Sequence, residues 1–267
     1  MKLNIEHSTR YTFNRPLGYT IQQLRLTPQD GFGQRVKNWQ VKVSGHTTQH
    51  TDAFGNIAHM LVVDSPHQEL MITASGQVET DLDLPPIDDF LALPIYLRNT
   101  KLTESDGEIK KFANSVLTQG DAVNITSLTV LMNEIVEQVK WVKDADENKQ
   151  SAIEAFAAKA ALSEGLAHAF IACCRGMRVP ARLVHGYCFN SSNNQLEHHS
   201  WADVWLIGHG WQSFDVANNC KSNGVHVRLA TGLDYRDACP VSRVVRESDH
   251  TQLSLNFKVQ ALTQMQQ

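Results

Sequence analysis

The stretch that decides the fold reads Glu-His-His-Ser-Trp-Ala-Asp-Val over residues 197–204 and Gly-Trp-Gln-Ser-Phe-Asp over residues 210–215. Both segments are short and strand-like, and a tight Gly-His-Gly connection separates them. This pattern predicts an antiparallel β-hairpin. In such a hairpin we expect the imidazole of His199 to lie beside the carboxylate of Asp215.

A carboxylate in that position fixes the tautomer of a histidine and stabilises its protonated form, as in a catalytic triad. The nucleophile of a triad should then lie upstream, at the start of a helix. The residue at that place is Ser163. A purely structural pair of His199 and Asp215 on adjacent strands is the alternative.

Composition restricts the class of protein. The 267 residues allow one large domain or two modest ones. A formal net charge of −4 gives no basic field for nucleic acid. The N-terminus lacks the apolar core of a secretory signal, and the most apolar long window, residues 151–174, is interrupted by charged residues. We therefore predict a cytoplasmic protein without nucleic-acid or membrane partners, and we leave homo-oligomerisation open.

Cysteine usage supports the same compartment. The five cysteines are odd in number and irregularly spaced, which favours free thiols in a reducing cytoplasm over a disulfide framework. Cys173 and Cys174 lie about 15 Å along the predicted helix from Ser163, at a rise of about 1.5 Å per residue. We therefore expect them to be buried and unable to reach His199.

The N-terminal third has the pattern of a β-rich domain. Apolar and polar residues alternate over residues 1–84, as at Leu3 and Ile5, with turn signals between the alternating segments. Two prolines at 85 and 86 cannot continue a strand ladder, so residues 85–99 are predicted to be a linker.

Residues 100–267 are predicted to form a second domain, in which helices precede strands. Apolar residues recur with helical period around residues 109–117 and 128–139, and residues 163–177 are apolar nearly all round, which indicates a buried central helix. Helices followed by antiparallel strands favour an α+β core. The predicted strands cover residues 181–189, 199–206, 211–215, 226–230, 242–246 and 253–262.

Several motifs along the chain point to one family. They lie at residues 9–11, 24–28, 52–56, 167–172, 178–187, 199–204, 210–215 and 232–237. With them the chain resembles the bacterial transglutaminase-like proteins, which belong with the papain-like cysteine enzymes. The resemblance implies an antiparallel β-sandwich-like domain followed by a papain-like transglutaminase core, in which helices pack on an antiparallel sheet or half-barrel.

The nucleophile motif departs from that family. Its frame reads roughly Gly-Val-Cys-x-Asp-x-Ala-His, whereas residues 161–168 read Ala-Leu-Ser-Glu-Gly-Leu-Ala-His. Serine replaces cysteine, and two neighbouring positions have changed as well. An engineered substitution would leave the neighbours untouched, so we interpret Ser163 as native.

Serine changes the chemistry of such a site. A thiol has a pKa of about 8.5, which falls further at a helix N-terminus beside a protonated histidine. An alcohol must instead lose its proton during attack to a base within hydrogen-bond reach, and a misplacement of about 1 Å can cost a hundredfold in rate.

Three functions follow as hypotheses. The first is an impaired site that binds a peptide or protein. The second is an active amide or peptide hydrolase with Ser163 as nucleophile, His199 as base and Asp215 as orienting carboxylate. The third is a structural interaction module carried by the β-domain. None of the three needs a cofactor.

Other polar and aromatic residues have competing interpretations. Glu197 and four histidines could be interpreted as a zinc site, but they lack helical His-x-x-x-His spacing, so we predict no metal. The four histidines are His185, His198, His199 and His209. We expect His168 to be a hydrogen-bonded core residue and Glu164 to face solvent at the helix start. Trp205 is expected in the core, while a groove-lining role stays open for Trp211.

Overall fold

The computed structural model of the protein describes residues 1–86, 91–117, 123–143, 150–190, 192–243 and 251–262, without the side chains of some residues in the last range. The chain begins with six strands. They are β1 (Lys2–Leu17), β2 (Thr20–Leu24), β3 (Arg35–Val43), β4 (His46–Thr51), β5 (Ile57–Val63) and β6 (His67–Glu79). A 3-10 helix, Leu93–Leu97, follows.

Helices and short strands come next. They are α1 (Gly107–Val116), α2 (Ile125–Gln138), β7 (Lys140–Trp141), α3 (Ala152–Ala158), β8 (Ala160–Ala161) and α4 (Ser163–Gly176). The chain continues with β9 (Ala181–Asn190), β10 (Gln195–Leu206), β11 (Gly210–Asp215), β12 (Cys220–Lys221), β13 (His226–Gly232), α5 (Tyr235–Ala238), β14 (Val241–Arg243) and β15 (Thr251–Leu262).

Two four-stranded antiparallel sheets form the N-terminal part, with strand orders β15-β1-β6-β3 and β14-β2-β5-β4. Alternate residues of β1 are buried, as the sequence period predicted. The apolar side chains of these sheets form a core that also includes Tyr187, Phe189 and Val227 from β9 and β13. The two parts of the molecule therefore share one packed interface.

The last strands return to the first ones. β14 pairs with β2, and β15 pairs with β1 in a register that sets Lys2 opposite Leu262. The division predicted from sequence is an N-terminal domain of residues 1–84, a linker of residues 85–99 and a core of residues 100–267. It assigns both strands to the core. That division stays a prediction, and the pairing shows that the C-terminal segment supplies one strand to each of the two N-terminal sheets.

The core is built around α4 and a five-stranded antiparallel sheet. The strand order is β12-β11-β10-β9-β13. Residues 165–175 of α4 are all buried, which confirms the predicted central helix. The helix packs on apolar side chains of β9, β10 and β11, including Leu183, Val204 and Phe214. It ends before Pro180, as expected, because proline cannot continue a helix.

Local sequence signals account for where the smaller helices begin. Asp106 caps α1 by accepting from two backbone N–H groups. Asn124 with Ser127, and Ser151 with Glu154, form reciprocal capping boxes at α2 and α3. By contrast, α4 begins at Ser163 without a side-chain cap. Its first amides are therefore left for other partners.

Candidate active site

Ser163 lies where α4 meets the central sheet. It is the first residue of the helix, and its Oγ accepts a hydrogen bond from the backbone N–H of Ser200 in β10 at 3.2 Å. This contact places the Ser163 hydroxyl next to the residue that follows His199. The Ser163 side chain is buried, and the residue is only 8% exposed.

His199 and Asp215 form a close pair across the predicted hairpin. β10 and β11 are antiparallel with Ala202 opposite Phe214, which confirms the hairpin. The Nε2 atom of His199 lies 2.8 Å from Oδ2 of Asp215, and both residues are buried. Since Nε2 donates to the carboxylate, Nδ1 is the nitrogen available to act as a base. In the described part of the chain no hydrogen bond to Nδ1 is found.

Two further residues hold the Asp215 carboxylate. Oδ2 accepts from Nε2 of His226 at 2.8 Å and from Nδ2 of Asn218 at 2.7 Å, and Oδ1 accepts from the Asn218 backbone N–H at 3.1 Å. The Nδ1 atom of His226 accepts from the backbone N–H of Asn223 at 3.1 Å, so Nε2 of this ring carries the proton. His226 is therefore a donor to Asp215.

These hydrogen bonds keep Asp215 ionised. Burial alone would raise the pKa of Asp215, but hydrogen bonds from His199 and His226, the charge of His199 and a hydrogen bond from Asn218 together lower it well below its ordinary value. Sequence reasoning missed His226 and Asn218. His226 opens a predicted strand, yet no spacing signal ties it to Asp215.

The Ser163 hydroxyl donates to Glu164. Its Oγ lies 3.4 Å from Oε2 of Glu164, and among the described residues no hydrogen bond joins Ser163 to His199. Glu164 also accepts from its own backbone N–H at the start of α4. The expectation that Glu164 faces solvent was wrong, because the residue is half-buried and its carboxyl group accepts from the backbone N–H at the start of α4.

Burial raises the pKa of Glu164, against the opposing effects of its own backbone N–H, the Ser163 hydroxyl and the charge of His199. A carboxyl group is thus held close to the Ser163 hydroxyl and the His199 ring.

Aromatic side chains surround His199. The Trp141 ring approaches it edge-on with centroids 5.9 Å apart, and Trp201 stacks on it at 6.3 Å. Trp201 and Trp211 are buried, whereas Trp205 is only half-buried and packs edge-on against Trp211. The sequence singled out the tryptophans of the hairpin but not Trp141, which belongs to the short strand β7.

The thiols of Cys173, Cys174 and Cys188 are weaker acids than an ordinary cysteine thiol. Cys173 and Cys174 are fully buried as predicted, and burial raises the pKa of each thiol. Cys188 was missed; it is half-buried, with its sulfur within 4.8 Å of ligand atoms of Asp215 and His226. Burial, followed by the charge of Asp215, raises its pKa to about 12, so the thiol stays protonated at neutral pH.

The Cys188, Asp215 and His226 group is the one cluster of metal-ligand type in the described ranges. Its hydrogen bonds do not suit a metal ion. The Nε2 atom of His226 carries a proton and donates it to Asp215, because Nδ1 is occupied by the Asn223 N–H. A metal at Nε2 would need that proton and the Asn223 contact to be rearranged.

Of the other histidines that the sequence singled out, His168, His185 and His198 form hydrogen bonds inside the protein. His185 contacts His198 at 3.1 Å and the Ser200 hydroxyl at 3.0 Å, while His209 is exposed in the hairpin turn. His168 is a satisfied core residue as expected: its Nδ1 pairs with the Gln150 carbonyl at 2.8 Å, and Nε2 accepts from a backbone N–H.

Ala161 and Gly165, two residues that differ from the family's nucleophile motif, lie next to each other in space. A Cβ atom added to Gly165 would lie 3.0 Å from the Cβ of Ala161 and 2.8 Å from the end of the Gln150 side chain. The family frame has the opposite pair, glycine at the position of Ala161 and aspartate at that of Gly165. Two of the three departures therefore compensate each other sterically, as expected for a native sequence.

Two family models match this chain. The bacterial transglutaminase-like N-terminal region matches residues 3–79. The transglutaminase-like superfamily core matches residues 110–216, a span that contains Ser163, His199 and Asp215. The chain belongs to the bacterial transglutaminase-like proteins. The α+β class and the β-rich N-terminal region predicted from sequence are confirmed for this bacterial transglutaminase-like protein.

Individual relatives agree over nearly the whole length. An uncharacterised protein of Mycobacterium leprae is 22% identical, and the match covers 98% of this chain and 99% of the relative. The crystal structure of a candidate cysteine protease from Cytophaga hutchinsonii superposes with a TM-score of 0.76 at 19% identity, covering 98% of this chain and 92% of that one. At this identity the structural match establishes the fold of this transglutaminase-like protein and not its activity.

A more distant match is the periplasmic domain of TgpA from Pseudomonas aeruginosa, at 14% identity and a TM-score of 0.40, covering 79% of this chain and 88% of that domain. In the transglutaminase-like protein described here, none of the helices within the described ranges is long and apolar enough to cross a membrane.

Proposed function

We propose that this protein is a transglutaminase-like scaffold whose acyl-transfer site is impaired and which binds a peptide or protein chain. One observation carries the proposal: the Ser163 hydroxyl is bonded to Glu164 and not to the His199 ring. Ser163, His199 and Asp215 are taken as the positions of nucleophile, base and orienting carboxylate.

The chemistry of serine makes this contact decisive. An alcohol attacks a carbonyl only if a base removes its proton in the same step. The base available here is Nδ1 of His199, and the hydroxyl does not reach it. The Ser163 proton is directed instead to a carboxyl group, a weaker base with no orienting partner of the kind that Asp215 gives to His199.

Glu164 also opposes the charge that develops during acyl transfer. The backbone N–H of Ser163 is the expected oxyanion donor, at the positive end of α4. The Glu164 carboxylate lies over this helix end. A negative charge there destabilises an oxyanion, and the loss of a single oxyanion donor already costs roughly a hundredfold to a thousandfold in kcat.

Peptide binding is the function that the remaining features favour. The His199–Asp215 pair is intact beside the Trp141 ring, and the fold is shared with a candidate cysteine protease. The net charge of −4 gives no attraction to nucleic acid. We place the protein in the cytoplasm as part of this proposal, and no cofactor is required.

An active serine amidase or peptidase is the second candidate. It is favoured by the three side chains that donate to Asp215, since such a well-held carboxylate is what an orienting residue requires. In this mechanism Ser163 Oγ would bond to the carbonyl carbon of the substrate while its proton passes to Nδ1 of His199. The C–N bond of the amide would then break as His199 passes the proton to the leaving amine, and water would hydrolyse the resulting acyl ester of Ser163, which releases the acid and returns the hydroxyl.

Labelling separates the two candidates. Wild type and a Ser163→Ala variant are treated with a fluorophosphonate probe, and Ser163→Cys is treated with iodoacetamide beside Ser163→Cys/His199→Ala. Peptide mass spectrometry locates each label, because Cys188 and Cys220 are half-buried thiols that need their own measurement. We expect no fluorophosphonate on Ser163 and rapid, His199-dependent alkylation at position 163 of the cysteine variant.

Stoichiometric labelling of Ser163 in wild type would overturn the impaired-site proposal in favour of the hydrolase. Ligand binding is measured separately by fluorescence polarisation with fluorescein-labelled casein peptides. We expect saturable binding by wild type without shortening of the peptides. Failure to bind any of them, with Ser163 also unlabelled, would leave neither function standing.

A further inference from the structure

His226 contacts the same carboxylate oxygen as His199, although it belongs to a distant strand. It is the first residue of β13, whereas Asp215 ends β11, and two strands of the core sheet lie between β11 and β13. The Nε2 atom of His226 lies 2.8 Å from Oδ2 of Asp215, and Nε2 of His199 lies 2.8 Å from the same atom. One carboxylate is therefore shared by two histidine rings.

We propose that His226 is a positioning residue, which acts through Asp215 to keep the His199 ring oriented beside residue 163. The inference rests on the proposed function, because it takes Ser163, His199 and Asp215 as the positions of nucleophile, base and orienting carboxylate. It extends that proposal by giving a fourth residue an effect on the reactivity of position 163, separate from any effect on stability.

A turn fixes the position and the tautomer of the His226 ring. The backbone N–H of His226 donates to the Asn223 carbonyl at 3.0 Å, and the backbone N–H of Asn223 donates to Nδ1 of the ring at 3.1 Å. Because Nδ1 accepts, Nε2 carries the proton. The ring therefore presents one fixed N–H donor to Asp215, and it has no free nitrogen with which to act as a base itself.

Trp201 orients both histidine rings. The indole is buried, it packs edge-on against His226 with centroids 5.2 Å apart, and it stacks on His199 with centroids 6.3 Å apart. The two rings are thus arranged around one aromatic side chain as well as one carboxylate. A displacement of the carboxylate would change the hydrogen bond on which the orientation of His199 depends.

Among the donors to Asp215, His226 is anchored outside the turn that follows this residue. Asn218 donates to the carboxylate from its side chain at 2.7 Å and from its backbone at 3.1 Å, but it lies in that turn, three residues further along the chain. It therefore moves together with Asp215. The other donor within the described residues is His199, the ring that is to be oriented. A fixed reference on β13 is what His226 adds.

Asp215 is the charged group that the His226 N–H contacts. The other titratable groups near the ring are His199, with centroids 6.1 Å apart, and Cys188, whose sulfur lies within 4.8 Å of ligand atoms of His226 and Asp215. Burial, followed by the charge of Asp215, raises the pKa of Cys188 to about 12, so this thiol is neutral at physiological pH. A hydrogen bond to an ionised acceptor is stronger than one between neutral groups, so the contact with Asp215 dominates.

The Ser163→Cys variant makes this orientation measurable, because a protonated histidine favours the thiolate only when it is held close to it. The rate of iodoacetamide alkylation at position 163 is followed against pH by peptide mass spectrometry. In Ser163→Cys/His226→Met we expect the pH midpoint to rise by about one unit, which is an about tenfold lower rate at a given pH below the midpoint. At high pH, where the thiol is fully ionised, the two rates should converge.

Glutamine provides the conservative variant. It matches methionine in length but retains an N–H donor, so Ser163→Cys/His226→Gln should keep the midpoint of Ser163→Cys. The matched control is His209→Met in the Ser163→Cys background, because His209 is exposed in the hairpin turn and should not affect the midpoint.

An unchanged midpoint in His226→Met, or an equal rise in His226→Gln, would overturn the inference. A rate lowered by the same factor at every pH would also count against it, because that indicates a disturbed fold and not a misoriented ring. Circular dichroism checks folding, and His226→Phe replaces His226→Met if the latter unfolds. If neither folds, the role of His226 is structural and the inference is wrong.

Failure of this inference is distinguishable from failure of the proposed function. Fluorophosphonate on Ser163 of the wild type, or alkylation of Ser163→Cys that does not depend on His199, counts against the proposed function. Alkylation that depends on His199 but not on His226 counts against the positioning role alone.

Discussion

The side-chain oxygen of Ser163 lies 3.4 Å from Oε2 of Glu164, the next residue of the same helix. This contact directs the hydroxyl proton away from the His199 ring and places a carboxyl group at the positive end of α4. Under the proposed function, the site would differ from an acyl-transfer site in two ways, by a hydroxyl in place of a thiol and by the position of a neighbouring charge. The two changes can be separated by experiment.

Removing the Glu164 charge should restore thiol acidity in the cysteine variant. In Ser163→Cys, a nearby carboxylate disfavours the thiolate, so Glu164→Gln should lower the pH midpoint of iodoacetamide alkylation by about one unit. The rate of alkylation against pH gives this midpoint. Glu134→Gln, an exposed glutamate on α2, is the matched control. An unchanged midpoint would mean that the Glu164 charge does not act on position 163.

His226 should stabilise the fold through Asp215. His226→Phe keeps a ring beside Trp201 but removes the hydrogen bonds to the Asp215 carboxylate and the Asn223 N–H. We expect a loss of about 2–3 kcal/mol in the free energy of unfolding, the cost of leaving a buried charged acceptor short of a donor. Urea unfolding at neutral pH measures it.

A double-mutant cycle tests the assignment to Asp215. In an Asp215→Asn background, His226→Phe should cost clearly less than in wild type, because the charged acceptor is gone. His209→Asn, an exposed histidine in the hairpin turn, serves as the control and should have little effect. Additive losses would show that His226 acts on stability through packing alone.

Local sequence patterns were sufficient to predict the hairpin and the central helix. The spacing of His199 and Asp215 around a tight turn fixes their proximity, because hairpin register follows from the loop. Residues 165–174 are almost all apolar, and this local composition is sufficient to indicate a buried helix.

Contacts between distant segments could not be predicted in this way. His226 reaches Asp215 because β13 joins the far side of β9, a pairing that no local period specifies. The pairing of β15 with β1 joins opposite ends of the chain. The conformation of the Glu164 side chain depends on the surrounding packing. Its position in the sequence, at the start of a helix, suggested an exposed side chain.

Acid should destabilise the protein through its buried histidines. Burial lowers the pKa of His7 to about 4 and that of His185 to about 3, against about 6.5 in an unfolded chain. The unfolded state therefore binds more protons than the folded state below about pH 6.5. Stability is retained above that pH and falls as the pH decreases toward the folded pKa values.

For each of these two histidines, the free energy of unfolding should be lower by about 2–3 kcal/mol at about pH 4.5 than at neutral pH. Urea midpoints measured between pH 7 and pH 4.5 follow the loss. His7→Gln should flatten the curve, while His46→Gln, an exposed histidine on β4, should not. A His7→Gln curve parallel to that of wild type would show that His7 does not take part in the acid response.

The nucleophile frame itself should show steric coupling between Ala161 and Gly165. A side chain at position 165 would meet the Cβ of Ala161 at 3.0 Å and the Gln150 side chain at 2.8 Å. Gly165→Ala should therefore destabilise the fold by about 1–3 kcal/mol through overpacking. Adding Ala161→Gly should recover part of that loss, although the single Ala161→Gly change leaves a small gap.

Thermal or urea unfolding of the two single variants and the double variant gives the coupling energy. Gly176→Ala provides the matched control, because a Cβ added there lies 3.8 Å from its nearest neighbour, in ordinary contact distance. If Gly165→Ala and Ala161→Gly were additive, the two departures would be unrelated changes. A favourable coupling would instead show that the motif drifted as a unit, so that restoring a cysteine alone reinstates the thiol but not the family's original packing around it.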